Sequence, residues 1–241
     1  MWRGLIIANL AAAFAGATEL QVAAAADLVG VQPLLEAAFA KKTGVTVRWI
    51  TGSSGVLARQ AENGAPFDVY LSASDSYVRD LVARGVVSKE SVTVYAMGHL
   101  GLWSASGLVR ELDDLLKPGV RHVSIANPAH APYGMAAKDA LESRELWGKL
   151  AGKLVYGENV RQALQFAESG NADAVVTAWA LVQGKAGAVE LLPAKSYKAL
   201  RQAGGVLKSS HEGKAAGEFL QFLMSSEARR IFREAGFGVV D

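Results

Sequence analysis

A chain of 241 residues is long enough for one large or two modest α/β domains, each with its own buried core. Its 51% apolar content and formal charge of +2 exclude wholesale disorder and the broad basic face that a nucleic-acid partner requires. It has no cysteine, so neither a disulfide framework nor lipid anchoring through an N-terminal Cys is expected.

The chain opens with Arg3 ahead of an apolar run over 4–17 that ends in small residues, the plan of a signal peptide, with cleavage expected after Ala17 and Ala15 as second choice. The run contains Asn9, is followed closely by Glu19, and falls short of the roughly 20 apolar residues of a membrane span. A periplasmic destination follows. From there the apolar period alternates between two and about 3.6, which predicts strands interleaved with helices and a parallel or mixed sheet. Residues 20–26 read as a strand, and Val31, Leu34, Leu35, Ala38 and Phe39 as a helix stopped by Gly44. Val45, Val47 and Trp49 alternate as a second strand; Gly52-Ser53-Ser54-Gly55 turns the chain into a helix over 56–62. Residues 67–72 form a strand and 77–83 a helix, followed by strands at 100–103 and 123–126 with a short helix around Leu112, Leu115 and Leu116 between them. A helix over 135–141, a strand at 154–156, a helix over 160–167 and a buried strand at 174–178 come next, then two helices at 215–223 and 227–235. There is no internal repeat and no Pro/Ser-rich linker. Any boundary must therefore be crossed by short segments, expected near 96–98 and 203–205, where small residues interrupt the periodicity.

Four places share one plan, in which a strand ends, a short turn follows and a helix begins: Ala26-Asp27, Ser53-Ser54-Gly55, Pro132-Tyr133-Gly134 and Asn159-Val160. In an open α/β sheet such turns gather at the carboxyl ends of the strands, where helix N-termini offer free backbone N–H groups and positive dipole ends. Singly, each is ordinary turn chemistry: Gly-Ser-Ser-Gly suits any turn and Asp27 suits an N-cap. Together they predict an anion site.

The stretches Val22-Ala23-Ala24-Ala25-Ala26-Asp27-Leu28, Thr51-Gly52-Ser53-Ser54-Gly55, Gly64-Ala65-Pro66-Phe67-Asp68-Val69, Ala131-Pro132-Tyr133-Gly134 and Gly157-Glu158-Asn159-Val160, in that order, resemble the periplasmic molybdate-binding proteins of ABC importers. The resemblance runs through essentially the whole chain after residue 17. It implies a type II periplasmic-binding fold: two α/β lobes joined by two crossing segments, one formed by 18–97 and 204–241 and the other by 98–203, with the ligand in the cleft between them. It further implies molybdate or tungstate as the ligand, no cofactor, an ABC transporter membrane permease as partner, and no catalysis; a monomer is the default expectation. Carried over by position, Ser54 supplies a hydroxyl donor, Tyr133 and Val160 supply second-lobe contacts, and Ala26 and Asp27 form the first-strand turn. Family members carry side-chain donors at that first turn where this chain has Ala-Asp. A tyrosine that some members supply from a later strand is here Thr177, for which Tyr133 is a candidate substitute.

Such a cradle needs no Lys or Arg, because hydrogen bonds to a charged group contribute roughly 1.5–3 kcal/mol each. Asp27 is the exception to its logic: an ionised carboxylate about 5 Å from a dianion costs on the order of 6 kcal/mol at an effective dielectric of about 20. Two resolutions are open. Either the Asp27 side chain caps the following helix and only backbone N–H groups face the ligand, or it is protonated or accepts a proton from a ligand such as hydrogen phosphate. Phosphate and sulfate binding on the same fold is accordingly the rival reading. A hydrolase with Ser54 as nucleophile is disfavoured, since His99, His122, His130 and His211 are scattered and no Gly-x-Ser-x-Gly elbow or Walker loop occurs.

Overall fold

The computed structural model describes residues 18–240; the predicted signal peptide lies outside them. Two five-stranded mixed sheets organise the chain. The first contains β1 (Glu19–Ala25), β2 (Thr46–Gly52), β3 (Val69–Ser72), β4 (Thr93–Gly98) and β10 (Leu200–Val206), in the order β2-β1-β3-β10-β4. The second contains β5 (Leu100–Ser104), β6 (Val123–Ala126), β7 (Leu154–Gly157), β8 (Ala174–Ala178) and β9 (Ala188–Leu191), in the order β7-β6-β8-β5-β9.

Both sheets follow one plan. A central strand, β1 or β6, pairs in parallel with a neighbour on each side, and the next position holds a strand running the other way, β10 or β5. In each sheet that antiparallel strand is the one that has just crossed from the other lobe. Only His99 separates β4 from β5, so the chain passes from the first sheet to the second there. The return differs from the crossing expected near 203–205. β10 already pairs with β4 at Leu200–Gly98, so the chain re-enters the first lobe before Leu200 rather than near 203–205, and 200–203 belong with the first sheet instead of the second lobe.

Both faces of each sheet are covered, which is why the strands read as near-continuous apolar runs. In β1, Leu20, Val22 and Ala24 face Phe39 of α1 (Gln32–Thr43), Phe219 of α7 (Gly213–Leu223) and Phe232 of α8 (Ser226–Glu234). Ala23 turns the other way, toward Leu57 of α2 (Ser54–Glu62) and Val78 of α3 (Asp75–Ala83). In the second sheet Val123, Ile125 and Val176 pack under α4 (Pro132–Ser143), while Val175 and Trp103 meet Ala163 and Leu164 of α5 (Val160–Glu168). A short helix, α6 (Trp179–Val182), follows β8. No helix among the described residues is long and apolar enough to cross a membrane.

The outcome for function is geometric. β1, β2, β6 and β7 all end toward the gap between the sheets, each followed by a helix whose N-terminus opens into it, the crevice where open α/β sheets bind ligands.

Candidate functional site

Ala26, Asp27, Ser54, Tyr133 and Val160, the five residues expected at the site, line one cavity between the lobes, together with Gly52, Ser53, Ala73 and Asn159. Its volume is about 10 Å³, room for about one water, so the two lobes lie close together around it. No Lys, Arg or His lines it. Among the described residues no group of three or more His, Asp or Glu side chains is placed to hold a metal ion.

The donors are built by the helix starts. Ser54, Tyr133 and Val160 occupy the first turns of α2, α4 and α5, and their amides have no protein acceptor among the described residues. Local chemistry holds each in place. Asn159 caps α5 by accepting from the amides of Arg161 and Gln162 at 3.0 and 3.1 Å, which leaves the Val160 N–H unspent. Pro132 begins α4, where its missing N–H costs nothing. The Ala73 amide donates to Ser54 Oγ at 3.0 Å, so the lone pair facing Ala73 is filled and the Ser54 hydroxyl proton is directed elsewhere. Residues whose amides are free of protein acceptors thus line the cavity from both lobes.

Asp27 departs from the expectation that it caps a helix. It sits inside a 3-10 turn, Ala26–Gly30, whose N-cap is Ala25, with no side-chain cap. Its carboxyl is instead buried at 1% exposure, and Oδ2 accepts from the Tyr133 hydroxyl at 3.1 Å and from Gln202 Nε2. Burial pushes its pKa from the ordinary 3.8 up to about 6, against the opposing pull of Gln202 and Tyr133. Oδ1 is buried and has no partner. Tyr133 is likewise corrected: its hydroxyl is spent on Asp27, burial and the Asp27 carboxyl raise its pKa well above the usual phenol range, and it cannot stand in for the missing tyrosine. Thr177 does not replace that tyrosine either. It is fully buried and donates to the Val160 carbonyl at 3.2 Å, steadying the start of α5.

Two features were invisible in the sequence. Gln202 arrives on β10, 175 residues from Asp27, and is oriented by the Tyr95 hydroxyl, which donates to its Oε1 at 3.1 Å. The second is a latch across the mouth of the cleft. The His130 carbonyl, in the loop before α4, accepts from the Gly55 amide at 2.9 Å and from Ser53 Oγ at 2.8 Å. Since the single Ser53 hydroxyl proton goes to that carbonyl, the 2.9 Å contact with His130 Nδ1 is a ring N–H donating back.

The chain matches the family model described as bacterial extracellular solute-binding protein over residues 20–238. It is 38% identical over 225 residues to the molybdate-binding protein ModA of Rhodobacter capsulatus, covering 92% of this chain and 89% of that protein. It is 35% identical to the ModA of Azotobacter vinelandii, covering 96% and 94%. The solved periplasmic molybdate-binding protein of Azotobacter vinelandii superposes with a TM-score of 0.88 at 32% identity, over 92% of this chain and all of that one.

Proposed function

We propose, because the chain belongs to the bacterial extracellular solute-binding proteins, that its cleft captures molybdate or tungstate outside the cytoplasmic membrane and presents it to the permease of an ABC importer. The observation that carries this reading is that Ser54, Tyr133 and Val160, whose amides have no protein acceptor among the described residues, line one small cavity free of cationic side chains. Donors of this kind suit an anion whose charge is spread over several oxygens. That the relatives matched along nearly their whole length are named for molybdate supports that choice over sulfate or phosphate.

In the proposed complex Ser54, with the turn at Ala26 and Asp27, contributes the first-lobe half of the shell, and Tyr133 and Val160 contribute their amides from the second. The protein acts alone as a monomer, needs no cofactor, and reaches the periplasm by its N-terminal leader. Closure across Ser53, Gly55 and His130 then creates the surface the permease reads. Isothermal titration of the purified protein with molybdate, tungstate, sulfate and phosphate tests the reading. Submicromolar binding of the first two, with sulfate and phosphate at least tenfold weaker, is expected; a preference for sulfate or phosphate would replace it with the rival assignment.

A further inference from the structure

A cradle of hydrogen-bond donors for an anion gives no reason to bury a carboxyl in its wall, yet Asp27 lines the cavity at 1% exposure. The groups that face it are the Tyr133 hydroxyl and the Gln202 amide, with the Tyr95 phenol behind them; no Lys, Arg or His is among them. Gln202 Nε2 lies 3.2 Å from the Tyr133 oxygen as well as against Asp27. An amide nitrogen only donates, and Gln202 Oε1 is already held by Tyr95, so the Tyr133 oxygen accepts from Gln202 and its own proton goes to Asp27. Two donors therefore fill Oδ2. The other oxygen, Oδ1, is buried without a partner. A proton carried by Asp27 consequently resides on Oδ1, the oxygen the protein leaves uncommitted.

We propose that Asp27 binds the oxyanion through one shared proton, held between its Oδ1 and a ligand oxygen, and so sets which protonation state of complex the site accepts. This rests on the oxyanion reading above. A fully deprotonated dianion such as molybdate arrives without that proton, so Asp27 takes it from solvent as the ligand enters and donates from Oδ1. A monoprotonated oxyanion brings its own, and Asp27 receives it as a carboxylate. Either way the complex holds one proton where two bare anionic groups would otherwise meet. Burial already raises the Asp27 pKa to about 6, and the arrival of a second negative group raises it further, so the free protein is ionised above neutrality and the complex is not.

Proton uptake tests this directly. Molybdate is titrated calorimetrically between pH 6 and 8.5 in pairs of buffers with different ionisation heats, using wild type and Asp27→Asn. For wild type the expected uptake is close to one proton per molybdate at pH 8 and smaller at pH 6, with Kd weakening about tenfold per pH unit above neutrality, the slope of a single linked proton. Asp27→Asn, which presents an amide donor and cannot titrate, is expected to show no uptake and a flat Kd. Molybdate binding by wild type at pH 8 without proton uptake overturns the role of Asp27 and leaves the oxyanion reading standing. Failure of both proteins to bind any of the four oxyanions overturns that reading and this inference with it. The wild-type titration decides the matter even if the variant does not fold.

Discussion

Replacing Gly55 with alanine should weaken ligand capture while leaving the ligand-free protein as stable as before. Gly55 is the second residue of α2, and a Cβ added there would lie 2.6 Å from the His130 carbonyl oxygen and 3.0 Å from His130 Cβ, both in the opposite lobe. Backbone cannot give way as a side chain can, so the lobes must stay apart by a few tenths of an ångström. The same carbonyl accepts the Gly55 amide and the Ser53 hydroxyl, and both bonds stretch together. At a net 0.5–1.5 kcal/mol each, their loss removes about 1–3 kcal/mol from the closed state. That corresponds to a Kd raised about 5- to 150-fold. The close contact within its own lobe is to the Tyr77 hydroxyl, the movable end of a side chain, and Ala is the better helix former by about 1 kcal/mol. The assay pairs isothermal titration with molybdate against thermal unfolding without ligand. An unchanged Kd would refute closure across this contact, and a lower Tm without ligand would make the contact a permanent part of the fold rather than a latch.

Val160→Pro removes one amide donor while retaining α5, because Pro is tolerated at the first helical position and Asn159 is already extended at φ −149° and ψ 177°; Kd should rise about 10- to 150-fold with unchanged far-ultraviolet circular dichroism, and normal affinity would remove the Val160 amide from the shell. Thr177→Val should act oppositely: loss of the bond to the Val160 carbonyl costs about 1 kcal/mol and lowers Tm by roughly 2–4 °C, with Kd moved less than about threefold because that hydroxyl does not face the ligand. For stability without ligand, Asp27 holds its proton more tightly folded than unfolded, about 6 against 3.8, so its contribution is complete below pH 3.8 and is lost as pH rises through about 6. Urea unfolding at pH 4.5 and 7.5 should therefore find Asp27→Asn gaining on wild type by about 2 kcal/mol at the higher pH, and a difference that does not change with pH would place the Asp27 carboxyl in water.

The parts of this molecule that could be read in advance are those written locally. A turn such as Gly52-Ser53-Ser54-Gly55 or Asn159-Val160 declares itself through residues next to one another, as all four strand-to-helix junctions do. β10 escaped notice because Arg201 and Gln202 are polar and Gly204 and Gly205 resemble a break. Those glycines are instead close-packing positions, with Leu71 and Val87 leaving no space for a side chain. A strand with no local signal at 200–206 leaves both the return crossing and Gln202 unmarked in the sequence. β4 failed for a related reason: Ala96 and Gly98 look like a hinge but form the buried edge that pairs with β10. The environment of Asp27 lies beyond any local rule, since it is assembled from β1, α4 and β10, and without Gln202 and Tyr133 in view the carboxyl reads as an ordinary cap.

The division of the shell between two lobes bears on how a site with neutral donors reaches useful affinity. Two donors on one lobe, at roughly 1.5–3 kcal/mol each, give about 3–6 kcal/mol, which the loss of translational and rotational freedom on association cancels. About six donors from both lobes bring the gross sum to about 9–18 kcal/mol, and the surplus over that same cost, about 6–12 kcal/mol, is the range in which micromolar capture, about 8 kcal/mol, becomes attainable. In the proposed complex, then, holding the anion and closing the cleft are one event. An open protein retains no ligand, and a protein closed around the wrong anion gains too little to stay shut. Ser53 lines the cavity and, with Gly55, is bonded to the His130 carbonyl; in the proposed complex this contact would set the closing distance at which the amides of Tyr133 and Val160 reach an anion resting on Ser54. Selectivity by anion size follows from the same geometry: backbone amides fixed at helix starts cannot reach inward for a smaller ion, and once the lobes meet at His130 they can approach no further.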